Sequence, residues 1–95
     1  RIHGSVIVDA GCEQALAAGS SLLAAGIKQV EGEFEQGKTI RILSLSGREI
    51  ARGLANYNAE ETRRIMGLHT NEIAEVLGHK PYDEVVHRDN MTLLV

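Results

Sequence analysis

Gly19-Ser20-Ser21-Leu22-Leu23-Ala24-Ala25-Gly26-Ile27 is the stretch that decides the fold. Small residues at 19–21 make a turn. The pair Leu22-Leu23 is expected to point inward. Gly26 then lets the backbone bend into a strand that runs from Ile27 to Phe34. A short helix must precede this turn, and residues 12–18 suit one, with Gly19 closing it. Ahead of that helix, Ser5-Val6-Ile7-Val8 is β-branched and reads as a strand, and Asp9 is placed to cap the helix.

The alternation continues downstream. Gln36-Gly37-Lys38 is a turn. Thr39–Leu45 reads as a strand with Ile40 and Ile42 on one face. Ser46-Gly47 is a hairpin signal, and Arg48–Tyr57 is expected to pair back across it. Strands 27–34, 39–45 and 48–57 would then form a meander. Gly53, inside the third, marks a bulge or a close backbone approach. Asn58-Ala59-Glu60-Glu61 is a capping box opening a helix that ends at Gly67, with Ala59, Thr62, Ile65 and Met66 on one face and Glu60 paired with Arg64. Thr70 caps a second helix, ended by Gly78. Val85-Val86 and Met91–Val95 read as closing strands. The class is α+β, mainly β, and so many short strands favour a nearly closed barrel with flanking short helices.

The chain has 95 residues, enough for one core and no second. Phe34, Tyr57 and Tyr82 are its only aromatics, so the core must be aliphatic. No run approaches the roughly 18 apolar residues of a membrane helix. Cys12 stands alone, which excludes an intrachain disulfide and suits a reducing compartment. The first residue is Arg1 rather than methionine, which reads as an excised or processed chain. Net charge is −3, and no long basic run exists. Nucleic-acid binding would have to come from a local patch and be salt-sensitive.

Several constellations fail on their own chemistry. His87-Arg88-Asp89 has the letters of a kinase catalytic loop, but Leu94 stands where the metal-binding Asn is needed. His79, Asp83 and His87 have helical spacing, but Pro81 interrupts any helix between them. Gly37-Lys38-Thr39 lacks the glycine-loop-to-helix setting of a phosphate loop. Cys12 has no cationic activator nearby. Lys28, Arg41, Arg48 and Arg52 are the bases of the meander, interleaved with Glu31, Glu33, Glu35 and Glu49. That pattern reads first as a solvated sheet face, and second as a patch for phosphate contacts beside the backbone amides of the 19–26 turn. No catalytic and no metal-binding residue is assigned.

The decisive stretch, with Val30-Glu31-Gly32-Glu33-Phe34, Gly47-Arg48-Glu49-Ile50-Ala51-Arg52-Gly53 and the ending Val86-His87-Arg88-Asp89-Asn90, resembles the PUA domain found at the C-terminus of bacterial glutamate 5-kinases. The resemblance covers nearly the whole chain. Two departures are Ala24, where the family usually has proline, and Lys38, where it often has Asp. The resemblance implies a PUA-like β pseudo-barrel over residues 1–95, excised from a longer cytoplasmic enzyme. It implies a separate N-terminal amino-acid-kinase domain that phosphorylates L-glutamate with ATP and magnesium in the first step of proline biosynthesis. None of that catalysis falls in this chain. It implies a homo-oligomeric parent and a surface for structured RNA, bound weakly, at Gly19, Ser20, Gly26, Ile27, Lys28 and Arg88. The other implied role is a structural or regulatory module that contacts the kinase domain or oligomer partners and binds no RNA.

Overall fold

The computed structural model describes residue 2 and residues 4–94. Eight regular elements follow one another: β1 (Gly4–Val8), α1 (Ala10–Ala17), β2 (Ile27–Gly32), β3 (Thr39–Leu43), β4 (Glu49–Leu54), α2 (Ala59–Ile65), α3 (Ile73–Leu77) and β5 (Met91–Leu93). Short 3-10 turns at Ala24–Gly26, Thr70–Glu72 and Arg88–Asn90 link them. Of the closing segment read over 91–95, the strand occupies Met91–Leu93, and Val95 lies outside the described residues.

The sheet is mixed, in the order β2-β1-β3-β4-β5. This corrects the meander: β2 and β3 are not neighbours, because β1 lies between them, antiparallel to β2 and parallel to β3. The turn at Gln36-Gly37-Lys38 does form, with the Lys38 amide donating to the Glu35 carbonyl at 3.2 Å. It joins non-adjacent strands because Phe34 carries the chain across the end of β1. The Phe34 ring is buried and occupies the space that a side chain at Gly4 would need. The β3–β4 hairpin forms as read, with Gly47 donating to Ser44 at 2.9 Å.

The order leaves β2 and β5 at the edges. The segments leading into them meet at an isolated bridge, Leu22–Val86. Leu22 donates to the Val86 carbonyl at 2.9 Å, and Val85 donates to Leu22 at 2.8 Å. That bridge brings the two ends of the sheet together and makes the architecture a pseudo-barrel. Val85-Val86 is therefore a single tie rather than a strand.

Two bulges explain burial that simple alternation misses. Val8 pairs with Ile27 and Ile7 with Gln29, so Lys28 is the extra residue. Ile27 and Val30 therefore both face inward. Likewise Ile42 pairs with Ala51 and Leu43 with Glu49, leaving Ile50 extra and both Ile50 and Ala51 buried. The sequence reading placed a bulge or a close approach at Gly53; the bulge is at Ile50, and Gly53 is the close approach.

Local capping follows the sequence closely. Asp9 caps α1, its carboxylate accepting from the Cys12 amide at 2.8 Å. The helix starts at Ala10, two residues earlier than read. Gly19, at φ 99, ends it. Ser20 donates to Ala15 and Gly19 to Leu16, both at 3.0 Å, which is the Schellman pattern that favours glycine at this position. The Asn58–Glu61 capping box is complete in both directions, at 2.8 and 3.1 Å.

Elsewhere in the helical half the details differ. Met66 leaves the helix in extended conformation and is 38% exposed, so it is no part of the buried face. Arg64 does not pair with Glu60; it donates to the Val76 carbonyl at 2.6 Å and ties α2 to α3. Arg63 reaches Glu33 and the Gly32 carbonyl at the end of β2. Residue His69, rather than Thr70, caps the next turn, its amide donating to Glu72 at 2.8 Å.

Candidate nucleic-acid interface

The turn after α1 and the turn before β5 lie against each other. The Leu22–Val86 bridge sets the spacing, and the Arg88 amide donates to the Ser21 hydroxyl at 2.9 Å. Gly19, Ser20 and Arg88 consequently line one hollow of about 250 Å3, with Leu16 at its base and Asp89, Met91 and Leu93 around it. Ser20 also lines a neighbouring hollow of about 320 Å3 with Gly26, Cys12 and Ser21. Four of the six expected contact residues are thus brought onto one continuous surface.

Two are not. Ile27 is 1% exposed and belongs to the core, because the Lys28 bulge turns it inward. Lys28 itself is exposed but lines neither hollow. Of the opening leucine pair only Leu22 is buried; Leu23 is 44% exposed and lines the second hollow. The extended backbone at this point places consecutive side chains on opposite sides.

Gly26 closes the back of the surface. A side chain there would meet Cys12 Cβ at 2.5 Å and Sγ at 2.7 Å. Burial, with the nearby Asp9 carboxylate adding, pushes the Cys12 thiol up to about 11. At pH 8 a thiol of that pKa holds on the order of 0.1% thiolate, which is the reactive form. Cys12 in the folded domain should therefore react with iodoacetamide at pH 8 at least two orders of magnitude more slowly than in urea. Equal rates, read by intact mass, would overturn its placement against Gly26.

The electrostatics narrow the cationic inventory. Arg41 and Arg52 both contact Glu49 between them, Arg48 pairs with Glu13 at 3.1 Å, and Lys80 pairs with Asp83 at 3.0 Å. The hydrogen bond from Arg52, helped by the charges of Arg52 and Arg41, holds the Glu49 carboxyl below the usual carboxylate range. Arg41 and Arg52 are thus spent on one acid of the sheet and Arg48 on an acid of α1. Lys28, Lys38 and Arg88 take part in none of the ion pairs among the described residues. His87 Nδ1 accepts from the Asp89 amide at 3.0 Å and caps the Arg88–Asn90 turn. His79 lies beside the Leu77 carbonyl. Among the described residues no three His, Cys, Asp or Glu side chains converge as a metal cluster would require. Nor is any helix among them long and apolar enough to cross a membrane.

Sequence reasoning missed Ser21. Its role rests on a contact with a backbone amide 67 residues away, and no spacing rule reports that.

Comparison with known proteins places this geometry. The family model described as "PUA domain" matches residues 4–77. The chain is 54% identical over 95 residues to a glutamate 5-kinase of Carboxydothermus hydrogenoformans, covering 99% of this chain and 26% of that protein. It spans about a quarter of the length of such relatives. Among solved structures, a PUA domain from Aeropyrum pernix K1, crystallised as a tartrate complex, superposes with a TM-score of 0.68 at 26% identity. That alignment covers 90% of this chain and 41% of the other. An H/ACA ribonucleoprotein bound to a substrate RNA shares the fold, at TM-score 0.63 and 18% identity over 90% of this chain and 23% of that one. The family match over most of the chain agrees with a pseudo-barrel tied through Leu22 and Val86, and the chain belongs to the PUA domain family.

Proposed function

We propose that this chain is the C-terminal, non-catalytic PUA domain of a cytoplasmic glutamate 5-kinase, and that its 19–26 and 88 surface contacts structured RNA weakly. Identity of 54% over nearly the whole chain to a glutamate 5-kinase of which it spans 26% is the observation that carries the parentage. The parent's chemistry, transfer of a phosphoryl group from ATP with magnesium to the γ-carboxylate of L-glutamate at the start of proline biosynthesis, belongs to the separate amino-acid-kinase domain. The RNA reading rests on Arg88 and Lys28, exposed cations outside the ion pairs, and on the polar Ser20-Ser21 turn beside Arg88. Two cations neutralise about two phosphates, so binding should be weak and lose about a hundredfold in affinity per tenfold rise in salt.

An amide chemical-shift titration with a structured RNA at low salt tests this. Shifts should cluster at residues 19–28 and 87–90 and fade as salt rises. Lys28→Glu combined with Arg88→Glu should abolish them. Absence of shifts at high RNA concentration would sink the RNA reading. The net charge of −3 and the pairing of Arg41, Arg48 and Arg52 with acids favour a second reading. In it the domain is kept for contacts within the parent enzyme, as a structural or regulatory module.

A further inference from the structure

Between α1, the start of β4 and the end of β5 lies a hollow of about 200 Å3 that contains none of the residues of the proposed RNA surface. One side is a single face of α1, where Glu13, Leu16 and Ala17 stand at i, i+3 and i+4. The other side is Ile50, Leu93 and Leu94. Leu16 and Ile50 are buried, and Leu93 and Leu94 leave more than a third of their surface open. The shape is set in advance. The bulge at Ile50 turns that side chain inward, and the Leu94 amide donates to the Ile50 carbonyl at 2.8 Å, which fixes the end of β5. Among the lining residues only Glu13 and Arg48 are charged, and they pair with each other at 3.1 Å. Their side chains are 33% and 67% exposed, so the pair lies at the mouth of the hollow, in water. A solvated pair of this kind is held weakly and opens at little cost.

We propose that this hollow binds a free amino acid with a branched aliphatic side chain, such as leucine. Its carboxylate sits on Arg48, its ammonium on Glu13, and its side chain enters between Leu16, Ile50, Leu93 and Leu94. An apolar lining with a few polar groups at one end is the usual make-up of a small-molecule site, and the volume lies below the roughly 300–1,000 Å3 of sites for drug-sized ligands. The two charges narrow the class. A carboxylate alone would take Arg48 and leave Glu13 beside a like charge, and an amine alone would do the reverse. A zwitterion replaces the one pair by two, and the planar Arg48 fork suits a carboxylate held through both oxygens. A chain terminus carries only one of the two charges, so the ligand is a free amino acid rather than the end of a polypeptide. An acidic or basic side chain would place an unpaired charge among the leucines, which burial disfavours.

Titration of the chain with leucine at neutral pH, followed through amide chemical shifts, tests this. Shifts should centre on Glu13, Leu16, Arg48, Ile50 and Leu94 and saturate with a Kd of about 1 mM, fitting for so small a ligand. Isocaproate, which is leucine without its ammonium, and isoamylamine, which is leucine without its carboxylate, should each bind at least tenfold more weakly. Glycine keeps both charges and fills nothing, so it should be weaker by a similar factor, and glutamate should do no better than glycine. Arg48→Gln and Glu13→Gln should each weaken leucine at least tenfold, while amide exchange of the buried Val6, Val8 and Ile42 stays slow and shows the fold intact. The absence of saturating shifts at about 50 mM leucine overturns the proposal. So does isocaproate or isoamylamine binding as tightly as leucine, which would make the contact a single ion pair. Leucine binding unchanged in either variant, or shifts centred on Ser20, Ser21 and Arg88, overturns it as well.

Discussion

Tyr57→Ala is expected to cost about 4 kcal/mol, near the top of the range for a buried aromatic, and Tyr57→Phe about 1 kcal/mol. Tyr57 is among the largest fully buried side chains, at 1% exposure. Its hydroxyl donates to the Tyr82 carbonyl at 2.5 Å, and the two rings meet edge-on at 6.1 Å and 84°. Tyr57 therefore fills the core and also holds the segment around Tyr82 that leads into Val85 and Val86. Alanine loses both functions; phenylalanine loses only the hydrogen bond and leaves one carbonyl without its partner. For a domain this size, melting should fall about 4–8 °C for Phe, while Ala should leave little of the stability of about 5–15 kcal/mol that a domain holds. Burial, the largest influence, raises the Tyr57 phenol above its ordinary value. The folded state thus holds that proton more tightly, and its contribution is present below pH about 10 and lost as pH rises through the folded value. Tyr57→Phe should remove that part of the alkaline fall. Urea unfolding of the three proteins decides the matter: Ala and Phe costs within 1 kcal/mol of each other would mean that the ring is not packed as described.

Much of this fold was legible because it is set locally. Asp9, Gly19 and the Asn58–Glu61 pair act on backbone groups within a few residues, and each does what its residue type and spacing lead one to expect. Strand partners were not legible. Strands 27–34 and 39–45 are separated by an ordinary turn, and hairpin logic pairs them. What separates them is β1, thirty-odd residues earlier, whose Val6 and Val8 are fully buried and need neighbours on both sides. Periodicity reports which face a residue takes and says nothing of which strand lies beside it.

The site was legible in the same measure. Gly19, Ser20, Gly26 and Arg88 converge, but only through the Leu22–Val86 bridge and the Ser21–Arg88 contact, both spanning more than sixty residues. Ile27 dropped out because one extra residue, Lys28, inverts the alternation, and a bulge leaves no mark in composition. The charge argument fared well for a physical reason. Glu49 meets Arg41 across the β3–β4 pairing and Arg52 three residues along its own strand, so one glutamate occupies two of the arginines. These exposed pairs contribute little stability, but they neutralise a face that a count of bases alone would have marked as attractive to phosphates.

Gly53→Ala should destabilise the domain by about 2–3 kcal/mol, although alanine in place of a strand glycine ordinarily stabilises by about 0.5–1 kcal/mol. The sign is what makes the substitution informative. Gly53 pairs with Ile40 on one side and Met91 on the other. A methyl group there would run into Val86 Cγ1, lie 2.9 Å from the Asn90 carbonyl oxygen and 3.3 Å from Met91 Cα. The Val86 side chain can turn aside, but the two backbone atoms move only if β5 moves. Val86→Ala should accordingly fail to rescue Gly53→Ala in full, and the double variant should carry the further cost of a cavity at a fully buried site. The displacement would spread in a definite direction. β5 follows directly from the Arg88–Asn90 turn, and Val86 carries the bridge to Leu22, so pushing β5 outward loosens both ties that hold Arg88 beside Ser20 and Ser21. Amide exchange of Met91, Thr92 and Leu93 should therefore accelerate more than that of β1 and β3, and the Arg88 amide should lose its protection with them. A Gly53→Ala protein as stable as the original in urea, with β5 exchange unchanged, would mean that the approach of β4 to Asn90 is not tight and that glycine at this position has another cause.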